Sequence, residues 1–303
     1  MNLNQLRVFH SVAQMGSVSG AARLLRVSQP AVSKQLGELE AALGAPLVDR
    51  LPRGVRLTRV GRALEEHAAR LFGAERAAEL ELAMLTGTPG ARLSVGASTT
   101  IGSYLVPTVF GQLRQLHPEL ALSLEIGNTQ SIHELVARDS VDVGLTEGLP
   151  SAEDLRSEAF SADYIVAVAA PGSILLGSGP IALERFLAEP MVVRERGSGT
   201  REVLESALAE RGHTLSPVME LGSSEAVKNA VAQRLGVAFV SSLTVDLELR
   251  LGRLAQVSLS DFSLRRNLHV VELRHRAPSP LLATFKQLLA APQTPWRRAE
   301  YAI

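Results

Sequence analysis

The sequence predicts an α/β protein in three parts: a small all-α winged helix-turn-helix, a long linker helix and a two-lobed α/β body. Apolar residues recur at helical spacing through the first sixty residues, and a proline-free stretch rich in alanine and leucine follows. Short apolar runs then alternate with helical patterns. The predicted domain limits are residues 1–60, 61–86 and 87–303. The body is predicted to form one lobe from residues 91–161 and 267–303 and a second lobe from residues 162–266.

Composition limits the functional classes. The 303 residues are 46% hydrophobic, enough for two or three folded domains, and include no cysteine, which excludes disulfides, thiolate zinc sites and thiol nucleophiles. The opening MNLNQLRVFH lacks the basic region and apolar core of a signal peptide, and no apolar run approaches the length of a membrane span. We therefore expect a cytoplasmic protein without membrane association.

Charge is unevenly placed along the chain. Residues 1–60 hold eight Lys or Arg against three Asp or Glu, whereas the remainder holds 23 against 28. A basic head on an acidic body indicates that the head meets a polyanionic partner.

The first 44 residues carry three helical patterns. Gly16 ends the first, Ser19 is the predicted N-cap of the second, and Ser28 is the predicted N-cap of the third. Pro30 is tolerated in the third helix because first-turn amides lack helical acceptors, and Gly44 ends that helix.

The third helix has one apolar face and one polar face. The polar face is uncharged or basic and short-chained, which suits a helix lying in the major groove of DNA, although an ordinary solvated helix face has the same composition. The following PLVDRLPRGVRLT predicts a two-stranded wing whose arginines would contact phosphates. The predicted DNA-binding residues are Ser28, Gln29, Pro30, Ser33, Lys34, Arg50, Arg53 and Arg56.

This head resembles the winged helix-turn-helix of LysR-type transcriptional regulators. The chain contains the pattern LxxFxxVAxxGSxSxAAxxLxVSQPAVSKQLxxLExxLGxPLxxRxxRGVRLTxxG, and the likeness spans Leu3 to Gly61. Val18 and Val48 stand where the family often has phenylalanine. The resemblance implies that the partner is double-stranded DNA at a pseudo-palindromic promoter site, with RNA polymerase as a further candidate partner.

A long helix is predicted from Thr58 to Leu85. Its apolar residues form a narrow seam at steps of three and four, which is typical of two paired helices but also fits a helix packed on its own domain. Pairing would make a homodimer with its recognition helices on successive half-sites, and the family resemblance extends this to a homotetramer. TGTPG, residues 86–90, is predicted to act as a hinge. The seam consists of Val60, Leu64, Ala68, Leu71, Ala74, Ala78, Leu82 and Leu85.

The body alternates strands with helices, which predicts parallel α/β sheets in two lobes with two chain crossings. It resembles the effector-binding domain of LysR-type regulators, which is similar to periplasmic binding proteins, so the likeness covers nearly the whole chain. Ligands favour the cleft at the carboxyl ends of such strands.

Four strand-to-helix junctions offer hydroxyl and amide groups to this cleft, although each by itself is more often a helix cap. Several of them converging would hold an oxyanion, so we expect a small anionic co-inducer and no other cofactor. Glu147 would repel an anion unless it pairs with an arginine or accepts a proton from the ligand. The predicted effector-binding residues are Ser98, Thr99, Thr100, Asn128, Thr129, Thr146, Glu147, Ser198, Gly199 and Thr200, with Glu220, Ser223 and Ser224 as weaker candidates.

Within the family, several segments resemble the branch that contains regulators of carbon fixation and of sulfur or sulfite response. These segments are STTIGSYLVP, GNTQ, VDVGLTEG, RERGSGTRE and MELGSSEAVKNAV. The resemblance implies a sulfur oxyanion or a compact organic acid as the effector.

RERGSGTR, residues 194–201, also fits the oxyanion loop of an enzyme that uses small anions or of a solute-binding protein. A phosphate loop, however, has a lysine after its second glycine, and Gly199-Thr200-Arg201 has none. No GxSxG elbow and no HExxH metal motif is present. The absence of a signal peptide and the basic head argue against a solute carrier. We therefore predict a regulator with no enzymatic activity and no metal site.

Overall fold

The computed structural model describes residues 1–52, 54–86, 92–177, 179–276 and 279–291, apart from the side chains at 77, 80, 81 and 83–86. It divides into two compact units, residues 1–91 with 273–282 and residues 92–272 with 283–303. Arg53, the predicted hinge beyond Thr86 and the side chain of Leu85 lie outside the described residues.

The first unit contains a three-helix head, a two-stranded wing and the linker helix. The wing strands are antiparallel, with Asp49 opposite Arg56. The elements are α1 (Leu3–Met15), α2 (Val18–Leu25), α3 (Gln29–Leu43), β1 (Val48–Arg50), β2 (Val55–Leu57) and α4 (Arg59–Thr86).

The head helices enclose a common apolar core. Phe9 and Val12 of α1 pack with Leu36 and Leu39 of α3, and all four are buried. The small Ala21 of α2 is buried in the same core, where it allows close helix approach. The predicted caps Ser28, Gly16 and Gly44 are present, the two glycines in left-handed conformation.

The predicted N-cap Ser19 is wrong. Ser17 caps α2, because its Oγ accepts a hydrogen bond from Gly20 N at 3.0 Å. The left-handed turn at Gly16 (φ 59°) places Ser17 directly after it in extended conformation, so the helix begins one residue after Ser17.

The linker helix α4 has two apolar stripes. Ala68 and Phe72 are buried against the head core, where Leu64 also packs. Val60, Leu71 and Leu82 are 44%, 41% and 60% exposed. The predicted seam is therefore divided, because part of it packs on its own head and part of it is exposed.

The α/β body follows, and most of its strands lead directly into helices. Its elements are β3 (Arg92–Ser98), α5 (Thr99–Tyr104), α6 (Val106–Leu116), β4 (Ala121–Gly127), α7 (Thr129–Ala137), β5 (Val143–Thr146), β6 (Leu155–Ala169), α8 (Leu183–Leu187), β7 (Met191–Arg194), α9 (Gly199–Ala209), β8 (Pro217–Leu221), α10 (Ser224–Ala232), β9 (Ala238–Ser241), α11 (Ser242–Arg250), β10 (Ala255–Val257), β11 (Leu264–Leu273) and α12 (Pro280–Ala290).

The main sheet has the strand order β10-β6-β11-β5-β3-β4, and β9 also pairs with β6. β3 is parallel to β4 and β5, as predicted, whereas β11 is antiparallel to β5 and β6 is antiparallel to β9 and β10. The predicted parallel pairing is therefore confirmed for β3 with β4 and β5, and the sheet also contains antiparallel pairs that the alternation did not predict. The physical reason is that β6 and β11 are the two crossing strands, and one of them carries the chain out while the other carries it back.

β7 and β8 form a separate parallel pair, which a bridge between Met191 and Val237 joins to the segment before β9. Phe186, Phe239 and Phe262 stack edge to face in the core of this second lobe. The predicted lobe limits at 161/162 and 266/267 fall inside β6 and β11.

Candidate effector and DNA-binding sites

The N-terminal turn of α3 presents polar side chains on its surface. Ser28 Oγ accepts from Ala31 N at 3.3 Å and caps the helix, and Ser19 Oγ donates to Gln29 Oε1 at 3.2 Å. Both contacts are local and leave the face accessible. The exposed or partly exposed residues of this face are Gln29, Pro30, Ser33 and Lys34.

The wing places two of its predicted arginines on adjacent strands. Arg50 ends β1 and Arg56 lies in β2, and both are exposed. Arg56 Nη2 lies 3.5 Å from Asp49 Oδ2, a surface pair that contributes little to stability. Arg53 lies outside the described residues. The described wing arginines are therefore accessible to a polyanion.

Five helices of the body begin directly at or just after the ends of strands. Ser98, Asn128, Ser223 and Ser241 each accept a hydrogen bond from a first-turn amide of the helix that they cap. Ser198 occupies the N-cap position of α9 without such a bond. The predicted junctions at Ser98, Asn128 and Ser198 are thus helix starts, whereas the predicted junction at Thr146 is wrong, because β5 is followed by the strand β6 and not by a helix.

Glu147 is buried at the end of β5, between side chains of both lobes. Its Oε1 accepts from Ser98 Oγ at 2.8 Å and its Oε2 accepts from Thr129 Oγ1 at 3.2 Å. Thr129 Oγ1 also accepts from Gly199 N at 3.1 Å, and Gln130 N donates to Gly197 O at 3.2 Å. The GSGT loop of the second lobe therefore lies against α7 of the first.

A buried arginine that the sequence reasoning missed lies beside Glu147. Arg266 of β11 is about 1% exposed and donates from Nε and Nη2 to Asp163 Oδ2 at 2.9 and 2.6 Å. Its Nη1 donates to Thr200 Oγ1 at 2.8 Å, and its Nη2 lies 3.7 Å from Glu147 Oε1. Ser242 Oγ donates to the other oxygen of Asp163 at 3.1 Å.

The signal for Arg266 and Asp163 was present in the strand alternation. Leu268 and Val270 are buried on the same period-two face of β11 as Arg266, and Ile165 and Ala167 stand in the same relation to Asp163 on β6. A charged residue on a strand face that is otherwise buried has to pair with another residue. Arg266 and Asp163 lie on inward strand faces and not at the strand ends, where the site residues were predicted.

Two of the three arginines of RERGSGTR, Arg194 and Arg201, are paired with carboxylates. Arg194 donates to Glu195 from Nε at 2.8 Å, and Arg201 pairs with Glu205 at 2.7 Å and Glu220 at 2.6 Å. Ionic pairing with Glu205 raises the pKa of Arg201, and the hydrogen bond from Arg201 lowers the pKa of Glu220. Glu220 therefore holds a neighbouring arginine.

Other predicted residues have mainly structural contacts. Thr146 is buried beside α7, where its Oγ1 donates to Gly148 O at 3.0 Å and lies 3.1 Å from His133 Nε2. Thr99 Oγ1 donates to Gly127 O at 3.3 Å and accepts from Arg194 Nη2 at 3.4 Å. Thr100 is buried in the first turn of α5. Ser223 caps α10, and Ser224 accepts from Arg194 Nη1 at 3.0 Å.

Two glycines allow the loop to approach α7. Gly197 has a φ of 82°, in the left-handed region. A Cβ on Gly199 would lie 2.5 Å from Thr129 Oγ1 and 3.1 Å from Glu147 Oε2. A larger residue at 199 would therefore push the loop away from Glu147.

Two histidines lie behind this polar group. Burial lowers the pKa of His133, although the nearby Glu147 opposes that shift, and burial lowers the pKa of His269. His269 pairs with Thr146 across β11 and β5. Both rings therefore favour the neutral form more than an exposed histidine does.

Two family models match the sequence. The model of the bacterial regulatory helix-turn-helix protein, lysR family, matches residues 3–62, and the model of the LysR substrate binding domain matches residues 86–292. The second match alone covers more than half of the chain. The chain belongs to the LysR family. This LysR-family protein thus has the predicted head and effector-binding domain.

Similar proteins agree with this assignment. The RuBisCO operon transcriptional regulator of Allochromatium vinosum is 35% identical over 289 residues, which is 95% of each chain. The regulatory domain of CcmR from Synechocystis PCC6803, in complex with 2-PG, is 27% identical with a TM-score of 0.61 and covers 66% of this chain and 95% of its own. Full-length OxyR from Pseudomonas aeruginosa has the same fold, with a TM-score of 0.73, 22% identity and coverage of 95% and 94%.

These comparisons confirm the predicted family and its likeness to regulators of carbon fixation. Because relatives over nearly the full length are transcriptional regulators, this LysR-family protein is a regulator and not an enzyme. No helix in the described part of the chain is long and apolar enough to cross a membrane. Within the same residues, no group of three or more His, Asp or Glu is placed to hold a metal ion.

Proposed function

We propose that this LysR-family regulator changes how it holds promoter DNA when a small anionic effector occupies the cleft between its two lobes. The observation that carries the proposal is the convergence of hydroxyl and amide groups on one buried charged centre. Ser98 and Thr129 donate to Glu147, the amide of Gly199 donates to Thr129, and Thr200 accepts from Arg266. Amides and hydroxyls at helix N-termini favour oxyanions.

The charges of this centre restrict the effector. Arg266 stands against two carboxylates, Asp163 and Glu147, and Asp163 already takes two of its N–H groups. A fully ionised oxyanion would add a further negative charge, whereas an effector with its own O–H could donate to Glu147 and accept from the arginine. We therefore propose a compact hydroxy acid or a protonated sulfur oxyanion, with Ser98, Thr99, Thr100, Asn128, Thr129, Thr146, Ser198, Gly199 and Thr200 around it.

The relatives support the organic acid. One relative regulates a RuBisCO operon, and the CcmR regulatory domain is in complex with 2-PG. The operon and the ligand are those of the relatives. For this protein they favour a small organic effector over inorganic sulfate.

For the head, we propose that the first turn of α3 reads bases in the major groove while the wing contacts phosphates. Support comes from the exposure of Gln29 and Lys34, since both reach outward from a helix whose opposite face is buried. The proposed contact residues are Ser28, Gln29, Pro30, Ser33, Lys34, Arg50, Arg53 and Arg56. The target is a pseudo-palindromic site, and RNA polymerase is a candidate partner.

We propose that α4 pairs with a second copy through its exposed apolar residues. Val60, Leu71 and Leu82 are exposed at spacings of eleven residues, so they share one helix face. The matching domain division is a head of residues 1–60, a dimerisation helix of residues 61–86 and an effector-binding domain of residues 87–303. The dimers would associate into tetramers, as the family resemblance implies.

The mechanism that we propose is a population shift. An effector that binds one arrangement of the lobes more tightly favours that arrangement by its difference in affinity. The shift would alter the packing of dimers in the tetramer and so the spacing and bending of the bound DNA.

The effector proposal is tested by thermal unfolding of the purified full-length chain with glycolate, sulfite, phosphate and sulfate. A ligand at about one hundred times its Kd stabilises by about 2.7 kcal/mol, which is a rise in Tm of about 5–10 °C for a domain of this size. We expect glycolate or sulfite to raise Tm and sulfate not to do so. Sulfate acting as strongly as glycolate would contradict the proposed donor to Glu147.

The site is tested by combining Ser198→Ala with Thr200→Val. We expect this variant to lose the effector-induced rise in Tm and to keep its affinity for DNA. The matched control combines Ser206→Ala with Thr214→Val, which makes the same chemical changes at exposed positions of the same lobe. Loss of ligand response together with DNA binding would assign the loop a structural role instead.

The DNA-binding proposal is tested with a fragment from upstream of the protein's own gene. We expect an affinity that falls steeply with salt, because phosphate contacts release counterions. Salt-independent binding would contradict the proposal for the head.

The proposed pairing through α4 is tested by Leu71→Glu. This variant is expected to have a lower mass in sedimentation measurements than the parent protein.

A further inference from the structure

A buried lysine outside the proposed effector site joins three helices. Lys228 of α10 is about 3% exposed, and its Nζ lies 2.6 Å from Thr244 O, 2.7 Å from Glu248 Oε1 and 2.8 Å from Glu225 Oε1. Burial opposes its charged form, but the hydrogen bonds to Glu225, Glu248 and Tyr104 outweigh that effect and raise its pKa. The ammonium therefore stays charged and is held by groups of the second lobe.

A tyrosine of the first lobe completes this site. Tyr104 Oη accepts from Lys228 Nζ at 3.0 Å and donates to Glu225 Oε1 at 2.5 Å. The ammonium also lies 5.6 Å from the centre of the tyrosine ring. Because α10 and α11 belong to the second lobe and α5 to the first, these contacts bridge the lobes.

The helix that carries Tyr104 also contributes to the proposed effector site. α5 has six residues, is capped by Ser98 at its start and ends at Tyr104. Its length is about 9 Å, so its two ends move together. A displacement of α5 relative to the second lobe that separates Thr99 Oγ1 from Arg194 Nη2, now 3.4 Å apart, would also strain the Tyr104 contacts.

We propose that Tyr104 and Lys228 form a latch that favours the closed arrangement of the two lobes. When the latch opens, the contacts that break are those of the uncharged Tyr104 hydroxyl. When it opens, Lys228 keeps Glu225, Glu248 and the Thr244 carbonyl as partners, and Tyr104 exchanges its bonds for water. Separation of the latch therefore leaves no unpaired charge buried. The latch opens reversibly, and its own contribution is limited to the hydrogen bonds of one hydroxyl.

The latch is tested by measuring the distance between the lobes. The chain has no cysteine, so Gln115→Cys in α6 and Ala209→Cys in α9, both at exposed positions, can carry spin labels at defined sites. Labelled chain is diluted into unlabelled chain, so that the measured distances lie within one molecule. Pulsed electron paramagnetic resonance then gives the distance distribution.

We expect Tyr104→Phe to increase the population at longer distance about tenfold, because hydrogen bonds to charged groups are lost only in the closed arrangement. Tyr164→Phe is the matched control, since it removes a hydroxyl from β6 within the second lobe, and it should leave the distribution as in the parent. In a Lys228→Met background, Tyr104→Phe should have little further effect.

A distribution for Tyr104→Phe identical to that of the parent overturns the latch, and a lower Tm without a change in distance assigns the tyrosine a local structural role. If Lys228→Met does not fold, the comparison of Tyr104→Phe with Tyr164→Phe decides the matter by itself. The measurement requires no effector and no DNA, so its outcome is independent of the proposed function.

Discussion

The polar face of α3 and the buried centre formed by Glu147, Asp163 and Arg266 both consist of polar and charged side chains, but in opposite environments. Gln29 and Lys34 are exposed and have only local partners, whereas Ser98, Thr129 and Glu147 are buried and bonded to one another. An exposed polar group is satisfied by water, but a buried one needs a protein partner. We therefore expect substitutions on the exposed polar face of α3 to cost little stability and substitutions in the buried centre to cost more.

The largest effect is expected from breaking the buried pair of Arg266 and Asp163. Arg266→Met leaves Asp163 buried without its partner, so the free energy of unfolding should fall by about 3–5 kcal/mol. Urea denaturation of the full-length protein measures this change. The control is Arg250→Met. Arg250 pairs with Asp246 at the surface, so this substitution should lower the free energy of unfolding by less than about 0.5 kcal/mol.

A compensating variant sharpens that result. Adding Asp163→Leu to Arg266→Met removes the unpaired carboxylate and should restore part of the lost stability. If Arg266→Met alone stayed within about 1 kcal/mol of the parent, the centre would be no more important to the fold than a surface pair.

The second effect concerns the recognition face and should appear in DNA binding only. Gln29→Ala should weaken binding by about 1–3 kcal/mol and relax base preference, whereas Lys34→Ala should weaken all sequences similarly and reduce the salt slope by about one. Titration of labelled DNA at several salt concentrations measures both. Arg114→Ala, at an exposed position of α6, is the control. Lowered thermal stability of Gln29→Ala would show that the face supports the fold after all.

A third, smaller effect separates the two serines of α2. Ser17 caps the helix through Gly20 N, so Ser17→Ala should cost about 1 kcal/mol of stability. Ser19→Ala removes only an exposed contact to Gln29 and should change stability by less than about 0.5 kcal/mol. Equal losses would mean that Ser19 shares the cap.

The smallest effect is a pH dependence that should differ between the two regions. Burial lowers the pKa values of His133 and His269 in the folded protein. As the pH falls through the unfolded histidine pKa of about 6.5, the unfolded state therefore binds more protons than the folded state. Stability from these groups is present above that pH and is lost as the pH falls. Replacing both by Gln should flatten this slope in unfolding measurements between pH 7.5 and 5.5.

Glu65 of α4 should have the opposite sign. Burial raises its pKa, although the contact with His10 Nδ1 at 2.8 Å opposes the shift. Its contribution is therefore present below the unfolded value of 4.5 and is lost as the pH rises through the raised pKa. Glu65→Gln should remove that acid-side contribution, and an unchanged profile would argue against it.

Much of the fold could be predicted because the signals were local. Helical spacing and the caps Gly16, Ser28 and Gly44 placed the head helices, and alternating apolar runs placed the strands of the body. The long helix from Arg59 to Thr86 followed from the absence of proline. The direction of β6 and β11 could not be predicted in this way, because strand direction depends on how the chain crosses between lobes.

The candidate site was predicted only at its strand ends. Ser98, Thr129 and Glu147 come together as bonded neighbours, with Glu147 accepting from both hydroxyls. Of the alternatives left open by the sequence position of Glu147, the structure contains an arginine close by, but it is Arg266 and not an arginine of the RERGSGTR loop. Arg194 and Arg201 of that loop pair with glutamates.

The sequence by itself determined the family, the order of helices and strands, and the helix starts at Ser98, Asn128 and Ser198. These depend on residues within a few positions of one another, whose backbone preferences and caps act over a single turn. Only the tertiary structure decided which charges meet. Asp163 and Arg266 are 103 residues apart, and Tyr104 and Lys228 are 124 apart, so burial and chain crossing bring them together. Electrostatic pairing acts through space, and no local pattern along the chain encodes its partners.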